Sequence, residues 1–403
     1  MLSDDVLLYI FHIYRRESKH YDDDTWPWHT LAHVCQRWRN VIFAWPHHLD
    51  LRLQCESRTA AAKALDIWPT LPISISALLN VMGSDNRDDI IDALEHHDRI
   101  AGIALSFLMR SQIERCVSWM QEPFPVLRFL SLGGDSEDVP VITDTFLGGS
   151  APRLQNLRLL YVPFPTLAKF LLSTNDLVDL RLEDITRTGY ISPDTMATCL
   201  SMLKRLRSVW IMFKSQSSFP NQTNRHPPPV IRAVLPALAS FMFQGLSEYS
   251  EDLISRIDAP LIDCLSLQFF YQPTFDVPHL PQFIRCIEKF KLPIEAYVGV
   301  YSDAIDVSLS SSVGGTLRLE FKCDALVRQH SLLKQIYTQS LPLLSHAKVL
   351  HLFSNFQLNA NQQDSTLWLG FLCPSYINFW ERGTRLGVEV PSRTSAPSNP
   401  SFE

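Results

Sequence analysis

A short pattern recurs through the middle of this chain, and it limits the possible folds more than any other feature. It reads apolar, two residues, apolar, one residue, apolar. The copies are Ile100-Ile103-Leu105, Leu127-Leu130-Leu132, Leu154-Leu157-Leu159, Leu177-Leu180-Leu182, Leu206-Val209-Ile211, Leu238-Phe241-Phe243 and Ile262-Leu265-Leu267, with fainter ones at Leu317-Leu319 and Leu350-Leu352. The third apolar positions are 105, 132, 159, 182, 211, 243 and 267, so the intervals run from 23 to 32 residues. The last two apolar positions stand two apart, which is the period of a strand, and successive strand residues point to opposite faces. Between the copies the spacing turns helical. Ile113, Val117 and Met120 fall on one helix face within 111–120, and helices are expected over 87–96, 167–172, 193–203, 251–257 and 281–290. Pro193 at a first helical position and Asp194 in the first turn suit such a start. Parallel neighbours need a crossover of this length. Proline leads into several copies, as in Ala151-Pro152-Arg153-Leu154, Pro236-Ala237-Leu238 and Ala259-Pro260-Leu261, where no ladder donor is required.

The period is that of leucine-rich repeats. Parallel strands are therefore expected near residues 103, 130, 157, 180, 209, 241 and 265, in one curved array from about 95 to 355. Alternation sends the leucines inward. It sends Arg158, Arg181, Glu183, Trp210, Met212, Met242, Ser266, Gln268, Arg318, Glu320 and His351 to a concave face. Tryptophan, methionine and arginine together have the composition of a binding surface. Arg158, Arg181, Glu183, Trp210, Met212, Met242 and Gln268 are the candidate target-binding residues. The alternative for Trp210 is an inward, core position.

The first fifty residues have a different character. Ser3 is a good N-cap, Asp4 and Asp5 occupy a first turn, and Leu7, Ile10, Phe11 and Tyr14 follow on one face. Further on, Leu31, Val34, Cys35, Trp38, Val41, Ile42 and Trp45 fall at the spacing of one amphipathic helix. So many large apolar side chains exceed what fifty residues bury alone, which points to a partner. The words MLSDDVLLYIF and LAHVCQRWRNVIFAWP resemble the F-box, with its acidic turn, its "LL.IF" helix and its V-C-x-x-W-R core. The resemblance rests on Leu2, Asp4, Asp5, Leu7, Ile10, Phe11, Leu31, Val34, Cys35, Trp38, Arg39, Val41 and Pro46, and spans residues 2 to 50. Ser3 stands where the family usually has proline, Asp50 where it often has tryptophan, and the 17–29 segment is longer than most. With degenerate repeats behind it, the chain is similar in style to fungal F-box/LRR-like proteins.

The resemblance implies a substrate-receptor subunit of a Skp/cullin/F-box ubiquitin ligase. Leu2, Leu7, Ile10, Phe11, Leu31, Val34, Cys35, Trp38, Val41 and Pro46 would dock on a Skp-type adaptor and, through it, on a cullin scaffold. The repeats would capture an unknown target protein, and other subunits would supply the catalysis. The other readings are an F-box scaffold acting outside ubiquitination and a solenoid ligand sensor. The expected fold is α/β: a helical F-box module over 1–50, a leucine-rich-repeat solenoid with parallel strands and outer helices over 51–390, and a disordered Ser/Pro-rich tail over 391–403.

Composition narrows the function classes. Apolar residues make up 46% of the 403, enough for a continuous core, and the net charge of -6 argues against a non-specific nucleic-acid binder. No apolar stretch reaches the length of a membrane span, and the start lacks the marks of a secretory signal, so the expected location is cytoplasmic and/or nuclear. The eight cysteines are dispersed and read as buried thiols, and the Asn221-Gln222-Thr223 sequon as idle. No nucleotide-binding, zinc-protease or serine-hydrolase motif occurs. Leu147-Gly148-Gly149-Ser150 imitates a phosphate loop without its lysine. His29 with His33 lacks further zinc ligands, and Asp22-Asp23-Asp24 lacks the glycine turn of a calcium loop. Neither a cofactor, a metal nor a catalytic residue is expected.

Overall fold

The structure, a computed structural model, describes residues 2–17, 28–45, 53–56, 71–78, 93–220 except 137, 229, 231–323 except 273, 274, 276, 292 and 302, then 332, 335, 349–354, 377–381 and 384–388. Pro46, the Asp22–Asp24 run, the sequon and the 391–403 tail lie outside them. The chain is α/β and divides into two compact units, Met1–Thr166 and Leu167–Glu403. The division falls inside the expected 51–390 region.

The first unit opens with helices α1 (Asp4–Glu17), α2 (Trp28–Ala32) and α3 (Gln36–Ala44). Strands β1 (Leu53–Glu56), β2 (Ile73–Leu78), β3 (Ile100–Leu108), β4 (Phe129–Gly134) and β5 (Asn156–Leu160) then pair in chain order, every pair parallel. Helix α4 (Arg110–Trp119) joins β3 to β4. The second unit starts with α5 (Leu167–Leu171), β6 (Asp179–Ile185), α6 (Pro193–Met202) and β7 (Ser208–Phe213). It continues through β8 (Ala233–Val234), β9 (Ser240–Gly245), α7 (Ser247–Ile254), β10 (Ile257–Asp258), β11 (Cys264–Phe269) and α8 (Leu280–Cys286). The strands β12 (Pro293–Val300), β13 (Ala304–Ser311), β14 (Thr316–Lys322), β15 (Val349–Ser354), β16 (Ile377–Glu381) and β17 (Thr384–Val388) complete it. Its main sheet runs β6-β7-β9-β11-β14-β13-β12-β15-β16-β17, while β8 and β10 form a separate parallel pair. Among the described residues neither unit's sheet closes into a barrel.

The seven expected strands are all present, and all their pairings within each unit are parallel. Every apolar position of the six copies from 127 to 267 is buried. At about 25 cal/mol per Å² of apolar area removed from water, each such leucine contributes on the order of 2 kcal/mol. The strands start from a recurring joint. The amides of Gln155 and Asn156 both donate to the Arg128 carbonyl, those of Arg207 and Ser208 to Val178, those of Ala239 and Ser240 to Arg207, and those of Asp263 and Cys264 to Ala239, at 2.7–3.1 Å.

Helices α4, α5, α6 and α8 overlap the expected 111–120, 167–172, 193–203 and 281–290, while most of the expected 87–96 helix lies outside the described residues. Ser192 caps α6 by accepting from the Thr195 amide at 3.3 Å, and Pro193 occupies the first turn. Helices α5 to α8 each lie against the next. The helix expected over 251–257 is instead α7 at 247–254, because Ile257 leaves to pair with Ala233. Glu251, buried on α7, accepts from the His279 and Leu280 amides at 2.6 and 3.0 Å and so caps the start of α8. Phe107, Tyr161 and Asp184 each follow a third apolar position by two residues and each adopt positive φ, 56°, 60° and 52°. The register of β3 and β6 shifts beside Phe107 and Asp184, so these left-handed residues are bulges at strand ends.

Two segments depart from the expected order. Between β11 and β15 the chain does not continue in parallel. It passes to β12, turns back as β13 and returns as β14, which pairs parallel with β11. The Leu317-Leu319 copy thus lies in the returning strand of an antiparallel meander. The stripe from Leu31 to Trp45 is not one helix either. It breaks at Cys35, which is extended (φ -160°, ψ 167°) and caps α3 through a Sγ that accepts from the Trp38 amide.

Candidate functional site

Two surfaces carry the candidate residues, one in each unit. In the first, Ser3 begins α1: its carbonyl accepts from the Leu7 amide at 3.1 Å and its hydroxyl from Val6 at 3.4 Å. Arg37 from α3 reaches back to the Leu2 carbonyl and, at 2.7 Å, to Asp4. Phe11 is fully buried and meets Trp38 edge-on, centroids 4.9 Å apart. Arg39 donates to the Ala32 carbonyl at 3.1 Å, satisfying the end of α2 where the helix breaks.

This arrangement sorts the ten expected docking residues. Leu7, Phe11, Leu31 and Val41 are interior, and Trp38 is half-buried. Leu2, Ile10, Val34 and Cys35 are exposed. Pro46 lies outside the described residues. The expectation of one continuous exposed stripe is therefore corrected: the break at Cys35 turns Leu31, Val41 and Ile42 inward and leaves Val34 and Trp45 outside. The sequence reading missed Val6, Tyr9 and Ile13, which are also exposed. Their spacing, with Ile10, is a second helical stripe beside the buried Leu7, Leu8 and Phe11, and it was there to be found. Helix α1 is thus apolar on two sides, one covered by its own module and one open.

The second surface is the outward face of the main sheet of Leu167–Glu403. Strand pairing places Arg181, Trp210, Met242, Ser266, Arg318, Ser308, Tyr297 and His351 in one cross-strand row. A neighbouring row holds Met212, Gln244, Gln268, Glu320, Asp306 and Gly299. Trp210 is half-buried and outward, while Val209, Ile211 and Phe213 fill the core beside it. The Arg181 guanidinium lies 4.3 Å from its ring centroid and donates to Asp179 at 3.1–3.3 Å. The sequence expects Arg181 to offer its fork to a ligand; here Nε and one terminal nitrogen are turned onto its own strand. Gln268 donates to Glu320 at 2.9 Å, and Arg318 bridges Asp306 and Glu320 at 3.0 and 3.4 Å. The hydrogen bond to Asp306 holds the Arg318 guanidinium above its ordinary pKa, and one to Glu320 does the same for the Lys322 ammonium. Met212 and Met242 are half-buried, as is Glu183 at the end of β6. Arg158 belongs to the first unit, where it is exposed and stands opposite Ser131.

The phosphate-loop imitation at Leu147–Ser150 resolves as structure. The Leu147 and Gly148 amides donate to the Met120 and Gln121 carbonyls, so they are spent on the chain itself. Among the described residues no group of three His, Cys, Asp or Glu side chains is placed to hold a metal ion. No described helix is long and apolar enough to cross a membrane. Cys116, Cys199 and Cys323 are buried thiols, and burial pushes Cys116 up to about 11, whereas Cys35 and Cys286 are exposed. No protein-family model and no curated protein matches the chain.

Proposed function

We propose that this chain is a non-catalytic substrate receptor of a Skp/cullin/F-box ubiquitin ligase. In this reading residues 1–50 are the F-box and dock on a Skp-type adaptor, and the strands and helices behind them are a divergent leucine-rich-repeat solenoid that captures a target protein. The observation that carries the reading is the double-sided α1. Leu7, Leu8 and Phe11 close the module's own core, and Val6, Tyr9, Ile10 and Ile13 leave a second apolar stripe exposed. Leu2, Val34 and Trp45 add to the exposed apolar area of this module. Such an area is what an obligate partner covers. Bringing a target beside a ubiquitin-loaded enzyme is proximity catalysis, which asks no reactive residue of the receptor.

The test is co-expression with a Skp-type adaptor. A one-to-one complex and a gain in solubility are expected, both lost in Tyr9→Asp/Ile13→Asp. An adaptor that neither co-purifies nor improves solubility at micromolar concentration overturns the receptor reading. The target-binding part of the proposal rests on the Arg181–Trp210–Met242 row, where aromatic, thioether and guanidinium groups adjoin as in binding hot spots.

A further inference from the structure

We propose that the cleft at Tyr297, Tyr301, Asp306, Ser308 and His351 is a subsite for an organic cation, the arginine or lysine side chain of a bound polypeptide. The proposal deepens the target-binding reading of this face and rests on it. The cleft is open, about 370 Å³, and lies over β12, β13 and β15. Its shape has a cause in the sequence. Gly299 stands opposite Asp306 and carries no side chain, and a Cβ there would come within 2.9 Å of the Tyr301 ring. The glycine therefore lets Tyr301 fold against the strand and leaves space above it. On the adjoining row Tyr297 and His351 stack as a pair, centroids 4.4 Å apart and planes within 10°. Tyr297 is 44% exposed and lines the cleft, so part of its aromatic surface is within reach of a ligand.

The charges favour a cation. Asp306 lines the cleft, and beside it the Tyr297 hydroxyl donates a hydrogen bond to the Glu295 carboxylate at 2.7 Å. Aromatic faces with a carboxylate at their edge are the environment that holds guanidinium and ammonium groups. Arg318, reaching in from β14, already occupies Asp306 at 3.0 Å. It is a model, supplied by the chain itself, of the contact a ligand would make. An incoming cation has to compete with it, which sets a direction for one mutation.

The experiment is a titration of the full chain, tyrosine rings isotope-labelled for NMR, with N-acetyl-arginine amide, tetramethylammonium and the neutral N-acetyl-citrulline amide. Saturable shifts of the Tyr297 and Tyr301 signals are expected with the two cations and not with citrulline. Asp306→Asn should weaken arginine-amide binding about fivefold or more. Gly299→Ala, which displaces Tyr301, should weaken both cations. Arg318→Gln should strengthen them, because it releases Asp306. Equal response to citrulline, or no saturation by either cation in the tens of millimolar, overturns the proposal, as does unchanged binding in both Asp306→Asn and Gly299→Ala. Trp210→Ala should leave the titration as it was. Cation binding in a chain that captures no target would overturn the wider reading of the face alone; target capture without cation binding would overturn the cleft alone.

Discussion

The run β6-β7-β9-β11 and the meander β12-β13-β14 belong to the same sheet, yet the chain travels through them differently. In the run each strand is followed by a return segment and enters again in the same direction, in register with the last. In the meander the strands follow one another through short turns and reverse each time. Both bury one face and expose the other, as Ile305, Val307 and Leu309 show beside Asp306, Ser308 and Ser310. The difference lies in what backs the buried face. The run carries helices α6 and α7 as its crossovers, so its core is continuous with theirs. The meander's three strands have no crossover helix between them. They widen the outward face at small cost in chain length, and the cation cleft stands on that added width.

Seven substitutions probe this contrast. Phe241→Ala, at a fully buried position of the run, should cost about 3–5 kcal/mol in denaturant unfolding, while Leu309→Ala near the meander's turn should cost nearer 2. A meander substitution as costly as Phe241→Ala would show that the two regions share one core equally. Next, Trp210→Ala should lose about 2 kcal/mol or more of target affinity, read by pull-down. Its melting temperature should barely move, because the side chain stands outward; a large drop would make it a core tryptophan. Arg181→Ala with Arg158→Ala should likewise reduce capture and spare folding. Glu251→Gln tests the link from α7 to α8, the helix ahead of the meander. Removing the charge and leaving one acceptor oxygen for the His279 and Leu280 amides should cost about 1–2 kcal/mol, seen as faster hydrogen exchange at those two amides. The smallest effect belongs to Gly314→Ala. Gly314 has φ 86° with nothing near its absent Cβ, so only backbone strain is added, about 1 kcal/mol. A loss well above that would mean the hairpin turn does more than join two strands.

The run was legible in the sequence and the meander was not, for a physical reason. A leucine spaced for a strand says which face it buries but not in which direction the strand runs. Direction comes from the connection. The segments 193–203 and 251–257 advertise helices, so parallel neighbours follow from them. Between 300 and 316 no helical spacing exists, and Val313-Gly314-Gly315 carries a turn signal that the faint Leu317-Leu319 copy overshadowed. Periodicity also missed the break at Cys35. Seven apolar positions fit one helix, and only the cap formed by the Cys35 thiol and Trp38 amide, with Arg39 sealing Ala32, ends it. Of the outward rows, Arg181, Trp210, Met212, Met242, Ser266, Gln268, Arg318, Glu320 and His351 were legible from alternation, although Gln244, Tyr297, Gly299, Asp306 and Ser308 went unnamed. Their ion pairs were not legible, since Arg181 to Asp179 is a contact along one strand and Arg318 to Asp306 a contact across a hairpin that had not been foreseen.

The paired amides at the strand starts have a consequence for how such a chain can change over generations. One carbonyl of the preceding turn takes two consecutive donors, so alignment is decided before the first ladder bond forms. A residue added between Leu177 and Leu180 would have to break that joint and turn every later side chain of β6 to the opposite face. A residue added beyond the end of a strand meets no such check. Length variation is therefore steered to the outer connections, and intervals of 23 to 32 residues can coexist with strands that remain in step. A chain built this way can lengthen its loops, and whatever they touch, while the surface written on its strands is inherited unchanged.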